Sequence, residues 1–340
     1  VIATLSFVTS TTRGLFNLAP ANAILGVGTG QIPGGRHEMS DTPSAFVYNN
    51  WYVAAWSSEV GRNPFGRILL GEPVVMYRTE AGALVALRDQ CPHRKLPLSC
   101  GRLSGDELEC GYHGMRFGID GRCTRIPGQD HIPGGARVRS YPVIEAMQMV
   151  WIWLGDPALA DPGKRFHLSA YDDPRRTVAV GKHHLVKCHY QLLTDNLTDP
   201  AHVTFVHPST LGSEAQADIP VDVEEDGDTV VVSRWTPNSP PAPIFHALAG
   251  MTGHVDRWQY YYFHCPSICI VDVGSAPVGA VVPEGPRERP PAVQIRQGSS
   301  WVRLQQIEQN ILMSPHRPHG VAQDEHIETA FEAAFKDRYD

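Results

Sequence analysis

Residues 91–114, CPHRKLPLSCGRLSGDELECGYHG, restrict this chain more than any other stretch. They give Cys91-x-His93, sixteen intervening residues, then Cys110-x-x-His113. Each pair lies beside glycine or proline, so two turns can bring four soft and borderline donors to one centre. Two thiolates and two imidazoles would satisfy a tetrahedral zinc ion, although zinc pairs more often follow C-x-x-C with H-x3-5-H. One cysteine and one histidine from each of two loops instead suits a [2Fe–2S] cluster, with Cys91 and Cys110 on one iron and His93 and His113 on the other. A zinc ribbon, or cysteines buried for packing alone, stand as the alternatives. Cys100 and Cys123 lie nearby as packed thiols or a disulfide pair.

The rest of the composition narrows the setting. With 36 acidic against 29 basic residues and no basic run, the chain has no footprint for nucleic acid or an anionic membrane. Seven cysteines in 340 residues point to a reducing compartment and thiols kept for metal, and so to the cytoplasm. No run of 18 apolar residues is present, so no membrane span is expected. Residues 1–44 are expected to be a disordered extension. Within them, residues 1–38 lack the pattern of a secretory signal, and GVGTG at 26–30 does not complete a dinucleotide fingerprint.

Residues 45–155 read as an all-β domain, with short runs such as WYVAAW, RILLGEPVVMYR and MQMVWIWLG broken by glycine and proline. The segment GDPALADPGKR at 155–165 is the best boundary. Residues 160–340 read as a mixed α+β domain. They offer a helical stretch from His189 to His207, strand-like runs DTVVVSRW and RWQYYYFHCPSICIVDVGSA, and a last amphipathic stretch in which Ile327, Phe331 and Phe335 share one face.

A second constellation lies in NLTDPAHVTFVH at 196–207: Asn196, Asp199, His202 and His207. Histidines five apart diverge by about 140° on an ideal helix. They can meet at one metal only if the helix breaks or ends between them, and Pro200 and Pro208 favour such irregularity. A polar helix face is the plainer reading. Beside a one-electron cluster, however, two histidines and a carboxylate make the facial triad of a mononuclear Fe(II) site with open positions for dioxygen.

C-x-H-x16-C-x-x-H followed by N-x-x-D-x-x-H-x4-H resembles the oxygenase component of Rieske non-haem iron oxygenases, specifically the shorter monooxygenases similar to vanillate O-demethylase and toluenesulfonate methyl-monooxygenase. NNWYVAAW, IPGQDHIP, VIEAMQMVWIWLGDPALADP and HPSTLG carry the likeness further, over about residues 48–298. The resemblance implies an all-β Rieske domain followed by a helix-grip catalytic domain, assembled as a head-to-tail homotrimer. It implies a Rieske cluster on Cys91, His93, Cys110 and His113, and iron on His202 and His207. Asp199 would bridge the two centres across the subunit interface, and Asn196 would line the iron pocket. It also implies O-demethylation or methyl hydroxylation of an aromatic acid with O2, and electrons from a separate NADH-dependent reductase, with or without a ferredoxin.

In the family a late helical carboxylate completes the iron triad. Here Asp337 or Asp340 would fill that role, or the ligand is missing from this chain, and Glu332 fits less well. Residues 299–323 depart from the family pattern, and HRPH at 316–319 reads as surface loop. An electron-transfer protein, or a truncated oxygenase without turnover, is the alternative function.

Overall fold

The computed structural model describes residues 46–168, 171, 186, 188–279, 281–283, 293–295 and 302–309. By their contacts, the described residues from 48 onward group as one unit.

The first part is all β. Its strands are β1 (Asn50–Trp56), β2 (Phe65–Leu69), β3 (Glu72–Arg78), β4 (Leu84–Arg88), β5 (Arg102–Ser104), β6 (Glu107–Glu109), β7 (Arg116–Phe117), β8 (Cys123–Arg125), β9 (Val143–Ala146) and β10 (Met149–Leu154). They form three antiparallel sheets, β1-β10-β9, β2-β3-β4 and β5-β6-β7-β8. The β2–β3 connection is two residues long, and Leu70 and Gly71 both take positive φ, 49° and 78°. That geometry matches the strand twist and explains why glycine stands there. The fully buried Tyr77, Leu87, Leu98, Leu108 and Phe117 pack into a core that also takes in Cys91 and Cys110. The four-stranded sheet of short strands, β5-β6-β7-β8, thus carries the second cysteine loop between β6 and β7.

The connector is held rather than loose. Two short 3-10 turns, Pro157–Leu159 and Pro162–Lys164, are N-capped by the side chains of Asp156 and Asp161, with proline at the first turn of each. Three indoles of the first part donate to backbone carbonyls: Trp51 to Asp161 at 2.8 Å, Trp153 to Asp156 at 2.7 Å and Trp151 to Ala146 at 3.1 Å. Trp51, Trp151 and Trp153 also pack in one apolar cluster with Leu168, Ile268 and Ile270. The seam between the two parts is therefore aromatic and apolar.

The second part holds α1 (Tyr190–Thr198), α2 (Val203–Val206), β11 (Asp222–Asp226), β12 (Thr229–Ser239), α3 (Pro243–Ala249), β13 (Val255–His264), β14 (Ile268–Pro277), β15 (Val281–Pro283), β16 (Val293–Ile295) and β17 (Val302–Gln309). Its main sheet runs β11-β12-β13-β14-β17, all antiparallel. The stretch from His189 to His207 is not one helix. It is split at Asp199–His202, because Pro200 has no N–H to donate and disfavours helical backbone at Asp199, whose φ and ψ are −98° and 102°. The divergent segment 299–323 contains β17, which pairs with β14 from Val302 to Gln309. A ladder of backbone hydrogen bonds tolerates that change of side chains. No helix among the described residues is long and apolar enough to cross a membrane.

Candidate metal centres

The two cysteine loops are built alike. The Cys91 amide donates to Leu96 O at 2.9 Å, and the Lys95 amide returns to Cys91 O at 2.9 Å. In the second loop the Cys110 amide donates to Met115 O at 2.8 Å, and the Gly114 amide returns to Cys110 O at 3.0 Å. The residue four beyond each cysteine takes positive φ, 61° at Lys95 and 69° at Gly114, which turns the chain back sharply. Asp89 braces the first loop from behind, accepting from the Ser99 amide at 2.7 Å and the Ser99 hydroxyl at 2.6 Å. Glu109, one residue before Cys110, braces the second by accepting from Arg102 Nη2 at 2.6 Å and Arg116 Nε at 2.7 Å.

This scaffold sinks both thiols, each 2% exposed, while His93 and His113 stay at the surface. The two imidazoles stand 4.7 Å apart between ring centroids, and Tyr112 stacks on His113 at 3.9 Å. Burial pushes the Cys91 thiol up, its Cys110 neighbour adds to that, and the amides of His93 and Arg94 pull the other way. A bound metal ion would overcome that burial cost and stabilise thiolate. Among the described residues no three His, Cys, Asp or Glu side chains gather as a single-ion site. The four donors instead fall into a buried sulfur pair and an exposed nitrogen pair, the donor set that a cluster with two differently ligated irons requires.

The second centre uses the break between α1 and α2. Asp199 ends α1 and its Oδ1 accepts from the Ala201 amide at 2.7 Å, which shapes the turn. His202 precedes α2 and His207 follows it, leaving the helix at φ −122° and ψ 46°. Ending the helix there offsets the divergence of positions five apart, and the two rings meet edge to face at 5.4 Å. Gly212 closes the turn with a 2.8 Å bond from its amide to His207 O. Burial pushes the His207 imidazole down, and the neighbouring His202 adds to it.

His202 Nδ1 is buried and lies 3.5 Å from Asp199 Oδ2, at the far limit of a hydrogen bond and with no nearer partner. Even so, the His202 ring is the largest cause holding the Asp199 carboxyl below the usual carboxylate range. The contact is better described as an ion-dipole pairing than as a short bond. A carboxylate at Nδ1 fixes the ring and leaves Nε2 for a metal. Asn196 sits half-buried in the last turn of α1. Asp337, Asp340 and Glu332 lie outside the described residues, so only two imidazole donors are seen at this centre.

Both halves match known families. Residues 50–142 match the Rieske [2Fe-2S] domain, and residues 186–305 match the vanillate O-demethylase oxygenase C-terminal domain. The iron-sulfur subunit of the toluene-4-sulfonate monooxygenase system of Comamonas testosteroni is 41% identical over 258 residues, covering 75% of this chain and 74% of that protein. The chain belongs to the Rieske non-haem iron oxygenases. It is an oxygenase component, with an all-β Rieske domain and a separate α+β domain behind it. The vanillate O-demethylase oxygenase subunit of a Pseudomonas species is 38% identical, covering 72% of this chain and 70% of its own. Among solved structures, dicamba monooxygenase bound to 3,6-dichlorosalicylic acid superposes with a TM-score of 0.67 at 34% identity, covering 76% of this oxygenase and 72% of its own chain. Dicamba monooxygenase with non-heme iron and dicamba covers 86% and 90%, with a TM-score of 0.58 at 30% identity.

One group of residues escaped sequence reasoning. Arg234, Gln216, Arg257, Gln259 and Tyr261 form a buried polar layer behind the histidine turn. The only trace in the sequence is RWQYY, where Arg257 and Gln259 interrupt an otherwise apolar and aromatic strand at alternate positions.

Proposed function

We propose that this oxygenase component removes or oxidises a methyl group on an aromatic acid, by O-demethylation of a methoxy substituent or hydroxylation of an aryl methyl. The observation that carries the reading is the joint presence of the double Cys/His loop and the broken-helix histidine turn, each within a matched family domain. The domain limits are taken as 45–155 and 160–340. Cys91 and Cys110 would hold one iron of the cluster and His93 and His113 the other, while His202 and His207 would hold the mononuclear iron. For the third ligand the reading stays between a carboxylate missing from this chain and Asp337, with Asp340 after them.

When bound, these groups supply single electrons and activation of dioxygen. The chain's own residues do the rest. Asp199 orients the His202 ring, and Asn196 lines the pocket. Buried thiols keep solvent from the sulfur side, and exposed His93 and His113 leave the nitrogen side open to a partner.

Hydroxylation of a methoxy carbon gives a hemiacetal that collapses to a phenol and formaldehyde, whereas hydroxylation of a methyl gives a benzylic alcohol. Electrons would come from an NADH-dependent reductase, directly or through a ferredoxin. We place the protein in the cytoplasm as a homotrimer, in which the exposed imidazoles of one copy meet the half-exposed Asp199 of the next. The relatives support the substrate class, since their names refer to toluene-4-sulfonate, vanillate and dicamba.

The test is turnover. The purified holoenzyme, with a generic reductase and NADH, should release formaldehyde from a methoxybenzoate or benzylic alcohol from toluene-4-sulfonate. NADH oxidation that yields only peroxide across the whole panel would refute the reading.

A further inference from the structure

The polar layer of the second domain contains two buried arginines without an acid. Arg257 is 2% exposed and Arg234 is 4% exposed. Alternation puts Arg257, Gln259 and Tyr261 on one face of β13. The register sets Arg234 opposite Gln259 on β12, and Ser275 opposite Arg257 on β14. That face lies against the segment carrying the two histidines. Arg234 Nη1 reaches Pro200 O at 3.5 Å, just before His202. Arg257 Nη2 donates to Leu211 O at 2.9 Å, just after His207, and to Gln216 Oε1 at 3.1 Å.

Those bonds leave much unused. A guanidinium has five N–H donors, and the three on Nε and Nη1 of Arg257 are buried with no acceptor, as is Nε of Arg234. Ser275 Oγ is buried and unpartnered beside them in the register. No carboxylate in the described residues pairs with either arginine. Asp256 and Asp272 fall on the opposite face, and Asp256 already accepts from the amides of Asn238 and Gly279. Asp199 acts on Arg234 only at a distance and serves Ala201 and His202 directly. Burial pulls the Arg257 guanidinium down to about 10, the direction expected of a cation with no counter-charge at hand. Unpaired buried donors and charges are costly, and a protein retains them where something else completes them.

We propose that Arg257 and Arg234, with Ser275, form an anion subsite that binds the carboxylate or sulfonate of the aromatic substrate beside the histidine turn. This rests on the oxygenase reading above and specifies how an acid is chosen over a neutral arene. A planar guanidinium suits both oxyanions.

The experiment measures binding rather than turnover, by calorimetry on the anaerobic holoenzyme with iron and cluster content checked. The probes are toluene-4-sulfonate against toluene-4-sulfonamide, and 3-methoxybenzoate against 3-methoxybenzamide. The unaltered enzyme should favour each acid over its amide by at least about tenfold, and Arg257→Gln should weaken the acids by about 10- to 100-fold. Binding of the amides should change by less than about threefold, Arg257→Lys should recover part of the acid affinity, and Arg234→Gln should show a smaller loss of the same kind. Equal weakening of acid and amide, or Arg257→Gln binding acids at full strength, overturns the proposal. If no arginine variant folds, the wild-type comparison still decides, and absence of any acid preference overturns it. Failure of turnover with acid binding intact would instead count against the oxygenase reading alone.

Discussion

Gly212→Ala tests whether the histidine turn depends on close backbone approach. A Cβ at this position would lie 2.5 Å from Val203 O, 3.0 Å from His207 O and 3.1 Å from the Pro208 Cα. Ordinary contact begins near 3.4 Å, so the turn must open by about 0.9 Å, and every neighbour is backbone that cannot rotate away. Overpacking of this kind costs about 1–3 kcal/mol. The 2.8 Å bond from the Gly212 amide to His207 O is weakened as well, adding about 1 kcal/mol. The sum, about 2–4 kcal/mol, corresponds to a fall in Tm of roughly 5–15 °C for a unit of this size. His207 moves with the loop, so mononuclear iron should be lost while the visible absorption of the cluster stays. Gly61→Ala, where no atom lies within 4 Å of the added carbon, is the control and should stay within about 0.5 kcal/mol. Differential scanning calorimetry with iron and acid-labile sulfide analysis reads all of this. A Gly212→Ala protein with unchanged Tm and full iron would refute the reasoning.

Other expectations follow from the same geometry. Cys91→Ser should abolish acid-labile sulfide and the Rieske EPR signal after dithionite, and a preparation containing zinc but no sulfide would mean the four donors serve a different metal. Asp199→Asn removes the charge beside His202, and kcat should fall by about 10- to 100-fold with the cluster content unchanged, as metal analysis and steady-state turnover would show. The Arg78 guanidinium holds the Glu145 carboxyl below its ordinary value near 4.5. Its stabilisation is therefore present above that pH and lost as pH falls through the lowered folded value. Glu145→Gln should accordingly reduce stability at pH 7 and lessen the acid sensitivity of unfolding between pH 5 and 3, measured by urea titration.

Local chemistry was readable from the sequence where neighbours in the chain are neighbours in space. Glycine, proline and the Cys/His spacings announce the two loops because each loop closes within five residues of its cysteine. Pro200 announces the break between α1 and α2 for the same reason. The arginine layer was hidden because its meaning comes from contacts across 34 to 46 positions, such as Arg257 with Leu211. A strand arginine seen alone looks solvent-facing, and only the register with β12 and β14 shows that it is inside. The pairing of β14 with β17 was equally hidden, since hydrogen bonding between backbones leaves little mark on side-chain identity. Asp337, one candidate for the third ligand, lies outside the described residues.

The tryptophan latches on the connector have a mechanical consequence. With Trp51 and Trp153 gripping the carbonyls of Asp161 and Asp156, and the same rings packed in one cluster with Ile268 and Ile270, the stretch from 155 to 165 is a bracket and not a tether. Bending within residues 155–165 then has to break two indole bonds and part those rings from Ile268 and Ile270, so this stretch turns with the first sheet rather than independently of it.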